Sequence, residues 1–198
     1  MIKKIYHIAA FIVLALFLSR DSYCENKDPA PGKNYMSFAE IELPASLSQD
    51  YARYLGIKHG RKTRFSEIKS EGIILEVFNV YCHNCQKNVA NMNKLYRLIE
   101  NAGLSSKIKM LGVGISNSET EVSVFRKKFN VAFPVFAGPD NSLYDRILGK
   151  IEFPYINILK RDSGGNLEKA FAIERDLPEP EKMFKVVSEG LGMTQEPR

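Results

Sequence analysis

Ile73-Ile74-Leu75-Glu76-Val77-Phe78-Asn79-Val80-Tyr81-Cys82-His83-Asn84-Cys85 is the stretch whose reading decides the fold. Its first six residues are apolar except for Glu76 and read as a buried strand. Beyond Cys85, the residues Val89, Met92, Leu95, Tyr96 and Ile99 form one apolar stripe, with Lys87, Lys94, Arg97 and Glu100 away from it and Gly103 placed to end a helix. The Cys-x-x-Cys therefore falls where a strand ends and a helix begins. Unpaired backbone N–H groups and the positive end of the helix dipole favour thiolate over thiol at that point, which makes Cys82 a candidate nucleophile. Two intervening residues bring Cys85 back within bonding reach. A mixed disulfide formed at Cys82 can then be resolved by attack from Cys85.

Working outward, residues 108–115 read as a second buried strand, and Ser118 with Glu121 three residues on predicts a helix that turns Val122, Phe125 and Phe129 inward. This completes a βαβ unit, hence a parallel pair with a right-handed crossover. Phe133-Pro134-Val135-Phe136 is short and extended, and Asn141-Ser142 caps a helical turn carrying Leu143, Ile147 and Leu148. After Pro154, residues 155–160 read as a strand, the Asp162-Ser163-Gly164-Gly165-Asn166 run as a turn, and residues 167–173 as its antiparallel partner. Pro178 and Pro180 open a last helix with Met183, Phe184, Val187 and Leu191 inward. The fold class this order predicts is α/β, a three-layer sandwich of a mixed central sheet with helices on both faces.

The chain's 198 residues suit one domain plus an appendage. Lys3 and Lys4 precede an uncharged apolar run over residues 8–18, followed by Ser19-Arg20-Asp21-Ser22, the layout of a signal peptide covering residues 1–24. The apolar run is short of the about 20 residues that span a bilayer, so cleavage is expected over an uncleaved anchor. Cys24 as a lipid-modified residue is a further alternative, against which Asp21-Ser22-Tyr23 fits poorly. Residues 25–40, with Pro29, Pro31 and Gly32, are expected to be a flexible leader, and residues 41–198 the domain with its N-terminal extension. Within that extension Leu43-Pro44 looks extended, while Leu47, Tyr51, Tyr54 and Leu55 fall at helical spacing.

Loss of residues 1–24 lowers the formal charge from +5 to +3. The densest basic cluster, from Lys58 to Arg64, has no interleaved aromatic residue and reads as a solvated loop, so no nucleic-acid partner is expected. An exported domain left with Cys82 and Cys85 alone is better explained by redox exchange than by disulfide stapling. A metal site is the alternative reading of the pair, but zinc wants four ligands, and only His59 and His83 are available beyond the signal peptide. Gln86 follows Cys85 where a c-type haem site would need His. No cofactor is therefore expected.

The Glu76-to-Cys85 stretch, the later Phe153-Pro154-Tyr155 before a hairpin, and the closing helix together resemble the thioredoxin superfamily. The export signal, Phe133-Pro134-Val135 and the insertion around residues 140–148 look like its TlpA-like periplasmic thiol/disulfide oxidoreductases. The resemblance covers residues 63–191. It implies that Cys82 attacks and Cys85 resolves, and that Pro154 is a cis-proline leaving the Phe153 backbone free to pair with a substrate peptide. It further implies that Glu76 is a buried acid helping Cys85 lose its proton. Tyr81 stands where the family usually carries Trp, Ala90 where it often carries Pro, and His83-Asn84 matches neither the usual reducing nor the usual oxidising dipeptide. Direction of electron flow is therefore open, with a reductase favoured, an oxidant or isomerase as the alternative, and a non-catalytic redox-responsive metal binder as a rival of another class.

Several residues carry two readings. An imidazolium at His83 would stabilise the Cys82 thiolate, or His83 is a solvent-facing loop residue. Glu76 is a proton relay, or it lies near a strand edge and is solvated. Tyr81 and Tyr155 flank a substrate groove, or they pack. The implied partners are exported cysteine-containing proteins and a membrane redox protein that exchanges electrons with them, which places the protein in the periplasm.

Overall fold

The computed structural model describes residues 38–44, 47–138 and 151–193. Residues 1–24, read above as a signal peptide with Cys24 at its end, most of the expected leader, and the helical turn expected at 141–148 lie outside the described residues. The leader's last three residues are described: Phe38–Glu40 form a 3₁₀ turn, so defined structure begins earlier than the composition suggested.

The strand that carries the motif, β3 (Gly72–Phe78), is buried along its whole length. A run with no exposed face needs cover on both sides, and β3 obtains it at the centre of a five-stranded sheet of order β5-β4-β3-β6-β7. On one side it pairs in parallel with β4 (Ile108–Gly114), in register from Gly72 opposite Ile108 to Phe78 opposite Gly114. On the other it pairs antiparallel with β6 (Tyr155–Arg161), with Val77 opposite Tyr155. The short β5 (Val135–Ala137) extends the parallel half, and β7 (Leu167–Glu174) forms the expected hairpin with β6, with a register irregularity at Ile158/Leu159.

Alternation along β3 divides the core. Ile74 and Phe78 join one apolar cluster with Val89, Met92, Leu95 and Ile99 of the motif helix, while Ile73, Leu75 and Val77 join another with Ile41, Leu43, Leu55 and Phe65 of the N-terminal segment. The three-layer arrangement expected from the sequence is the one observed.

Four α-helices are described: α1 (Gln49–Leu55), α2 (His83–Asn101), α3 (Glu119–Phe129) and α4 (Pro180–Gly190). The spacing reasoning holds locally. Ser118 and Glu121 form the expected capping box of α3, Pro180 opens α4, and Gly103 takes the left-handed conformation just beyond α2 at φ 70°. Asn93, buried on α2, ties two helices together: its amide donates to the Asn130 carbonyl at 2.9 Å and its oxygen accepts from the Ala132 N–H at 2.8 Å. The exit of α3 is thus fixed to the middle of the helix that carries the cysteines.

The N-terminal extension departs from expectation at one point. Thr63 and Arg64, placed by sequence in a solvated basic loop, form β2 (Thr63–Arg64) antiparallel to β1 (Glu42–Leu43), and Thr63 is buried. Lys58, Arg61 and Lys62 remain exposed; β-branched Thr63 turns inward where its backbone finds a partner. The adjoining α1, capped by Ser48, brings two tyrosines to the edge of the main sheet. The Met110 N–H donates to the Tyr54 hydroxyl at 2.9 Å, and the Val135 N–H donates to the Tyr51 hydroxyl. These backbone groups lie where β4 outruns the short β5 and on the outer side of β5, so neither is left unpaired.

Candidate active site

Cys82 is the N-cap of α2, and its Sγ accepts the Cys85 N–H at 3.2 Å. A donor from the first turn is thus already aimed at the sulfur that would carry negative charge. Cys82 is half-buried, whereas Cys85 is 1% exposed, and both are free thiols. The difference follows from helix geometry: the cap residue sits at the rim, and three residues on the chain has turned towards the sheet. Burial pushes the Cys85 thiol well up, and its contact with Cys82 and the charge of Glu76 push it the same way. The Asn79 N–H, which donates to it, works in the opposite direction.

Glu76 lies on β3 between Gly112 of β4 and Ile156 of β6. By alternation it shares the face of Ile74 and Phe78, the face under α2 that also receives Cys85. At 5% exposure it is not solvated at a strand edge, and burial raises its carboxyl from 4.5 to about 8. A carboxyl held well above its usual range therefore sits on the face that receives Cys85.

The loop between β3 and α2 is held by side chains that sequence reasoning passed over. Asn79 accepts the Tyr81 N–H at 2.9 Å and donates to the Ile115 carbonyl at 2.9 Å, while its own carbonyl accepts the Cys82 N–H at 3.0 Å. Asn117, buried after β4, accepts the Val80 N–H at 3.0 Å, and Gln86 donates to the Val80 carbonyl at 2.8 Å. The available signal was polar residues at the ends of two apolar strands, Asn79 after Phe78 and Asn117 after Ile115. Buried strand ends leave backbone groups that short amide side chains can satisfy.

Tyr81 is 72% exposed, and its hydroxyl donates to the Glu121 carboxylate. The same carboxylate accepts the Ser118 N–H at 2.7 Å and the Ser118 hydroxyl at 2.8 Å. The Tyr81 hydroxyl, followed by the Ser118 groups, holds Glu121 down at about 2. The capping residue of α3 thus doubles as the anchor of the cysteine loop. His83 opens α2 and is exposed.

The Phe153–Pro154 peptide is cis, and Pro154 is buried. Continuing the register of Val77 opposite Tyr155 sets Pro154 beside Phe78 and Phe153 beside Asn79, at the same end of the sheet as the cysteines. Phe153 is half-buried and packs against both apolar clusters. Tyr155 differs from the groove expectation. It is 5% exposed and lies in the cluster on the face away from α2, where burial raises its hydroxyl to about 12. Tyr155 is the first residue of β6, and alternation along that strand turns its side chain into the second apolar cluster. Among the described residues no group of three or more His, Cys, Asp and Glu side chains is gathered in a way that could hold a metal ion.

A fold with a thioredoxin-type sheet, a Cys-x-x-Cys capping the helix after its central strand and a cis-proline at the same sheet end defines a class, and comparison with known proteins agrees. A solved thiol:disulfide interchange protein from Bacteroides sp. superposes with a TM-score of 0.52 at 13% identity, covering 82% of this chain and 91% of that one. The fold is thioredoxin-like. Among curated proteins the chain is similar to the thiol-disulfide oxidoreductase ResA, with 25% identity over 76 residues of the Geobacillus thermodenitrificans protein and 25% over 87 residues of the Bacillus subtilis protein. These matches cover 38% and 44% of this chain and 41% and 46% of the relatives, so the likeness spans less than half the length of either. No family model matches.

Proposed function

We propose that the protein is an exported thiol/disulfide oxidoreductase that reduces disulfides of other exported proteins and draws its electrons from a membrane redox protein. The observation that carries the reading is the division of the two thiols, Cys82 at the rim on a helix N-terminus and Cys85 buried over Glu76. The Cys82 thiolate attacks a sulfur of the substrate disulfide, forming a mixed disulfide and releasing the other substrate sulfur as thiolate. Cys85, giving its proton to the Glu76 carboxylate, attacks Cys82 Sγ and releases the second substrate sulfur. Two electrons pass to the substrate, and the Cys82–Cys85 disulfide remains. In this reading the Phe153 backbone, ahead of Pro154, pairs with an extended substrate segment, and Tyr81 and His83 contact it beside Cys82.

The ResA likeness supports thiol/disulfide exchange, and the TlpA-like features of the sequence favour a reductase over an oxidant or isomerase. In the domain organisation that accompanies this reading, residues 1–24 export the chain, residues 25–40 form a leader, and the remainder is the redox domain. The test is the reduction potential of the Cys82/Cys85 pair, equilibrated in glutathione buffers with Cys24→Ser present to remove the third thiol. A value near or below about −250 mV is expected. A value above about −180 mV would mark an oxidant or isomerase instead.

A further inference from the structure

Arg175, just past the end of β7, stands in a conformation that arginine seldom takes. Its φ is 58°, in the left-handed region, and the Asp176 N–H donates to the Glu174 carbonyl across it at 2.7 Å, closing a tight three-residue turn. Two other described non-glycine residues have a positive φ, Ser116 and Asn130. Asn130 caps α3, where that conformation is ordinary for asparagine. A long side chain on so awkward a backbone is kept there by what surrounds it, and such positions gather where a protein grips a ligand.

What surrounds Arg175 is the segment that leads into β6. The Arg175 N–H donates to the Pro154 carbonyl at 3.0 Å, and its guanidinium pairs with the Glu152 carboxylate. One residue thus holds the chain on both sides of Phe153. Between these two holds, and among the described residues, no backbone hydrogen bond engages the Phe153 N–H or carbonyl. The Glu152 and Arg175 side chains are exposed, so their pairing adds little to stability; its effect is to fix where the Phe153 peptide groups point. We propose that Arg175 is a positioning residue: by holding Glu152 and Pro154 it keeps the unpaired Phe153 backbone in line to pair with an extended polypeptide that carries the disulfide to Cys82. This rests on the thiol-exchange reading above, in which Phe153 receives the substrate, and adds the residue that presents it. The substrate class so favoured is a disulfide flanked by extended peptide whose N–H groups are free.

The test uses single-turnover reactions of the reduced full chain carrying Cys24→Ser. One oxidant is the disulfide-linked dimer of a short linear peptide with a single cysteine. The other is the same dimer N-methylated on the residues flanking the cysteine, which removes their donors. In both reactions the Cys82/Cys85 pair gives up two electrons and closes to its disulfide, and two peptide thiols are released, so the ratio of the rate constants isolates backbone pairing. The parent is expected to favour the unmethylated peptide. Arg175→Ala and Glu152→Ala should each lower the ratio roughly threefold, the double variant no further than either alone, and Arg175→Lys should stay near the parent. Arg175→Gly suits the backbone but lacks the side chain, and should lower the ratio as Arg175→Ala does. A ratio unmoved in Arg175→Ala, or recovered in Arg175→Gly, overturns the proposal and leaves pairing at Phe153 intact. A parent that treats the two peptides alike overturns that pairing and this proposal with it, and a parent that reduces neither overturns the exchange reading as well.

Discussion

The Glu76 carboxyl and the Cys85 thiol share one face of the sheet beneath α2, both shut from water, and charge on the first opposes charge on the second. Two acids so placed do not ionise together cheaply, so one proton passes between them more readily than two leave. Glu76 pays for this arrangement in stability. Its carboxyl is raised from 4.5 to about 8 in the fold, so between those values the unfolded chain has lost a proton that the folded chain keeps. Stability is full below about 4.5, falls as pH rises towards 8, and stays low above it, a loss on the order of a few kcal/mol. Urea unfolding between pH 4.5 and 9 should show this decline, and Glu76→Gln should flatten it.

In the proposed exchange the same residue serves the second chemical step. At pH 7, Glu76→Gln should slow release of the mixed disulfide by Cys85 roughly tenfold, about 1.4 kcal/mol of barrier, and leave the first attack by Cys82 little changed. Rapid-quench trapping of the mixed species separates the two steps. Cys85→Ser should accumulate the adduct and Cys82→Ser should form none; the reverse pattern would exchange their roles.

Asn79 organises the loop from both ends, through the Tyr81 N–H and the Ile115 carbonyl. Asn79→Ala should cost ~1–2 kcal/mol of stability and lower the exchange rate several-fold by loosening the approach to Cys82. Asn79→Asp keeps an acceptor for Tyr81 but loses the donor to Ile115, and should fall between the two in denaturant midpoint and in rate.

Gly114 ends β4 where α3 crosses. A Cβ there would stand 2.8 Å from Val122 Cγ2 and 3.2 Å from Asn117 Oδ1. Gly114→Ala must move either the helix or the amide that holds Val80, so it should destabilise by about 1–3 kcal/mol and slow exchange as well. Chemical denaturation and the glutathione reaction measured on one preparation would show whether both fall together.

Tyr54→Phe removes the acceptor for the Met110 N–H while keeping the ring. The expected loss is ~1–2 kcal/mol with unchanged redox potential, measured by urea titration and glutathione equilibration.

Much of this was legible in the residues because the signals were local. The all-apolar strand, the helix stripe after Cys85, the Ser118 and Glu121 box and Pro180 each declare an element within a few positions, and the elements appear where those signals stand. What was not legible depended on partners distant in sequence. Thr63 looks like a loop residue until Leu43 pairs with it, and Tyr155 looks like a groove residue until its face of the sheet proves to be core. Asn79, Asn117 and Gln86 carry no motif at all. Their roles arise from backbone groups stranded where strands stop, and only the folded chain reveals which groups those are.

The hydroxyls of Tyr51 and Tyr54 also bear on what the molecule does in company. β5 is a three-residue border strand, and outward N–H groups on such a border are a template for a strand from another molecule. Tyr51 takes the Val135 N–H of that border and Tyr54 the Met110 N–H just past its end, so the extension covers part of the template. Shortening the chain to begin near Thr63 would reopen it, and the expected result is edge-to-edge self-association visible as concentration-dependent growth in light scattering. The extension thus doubles as a guard on one border of the sheet.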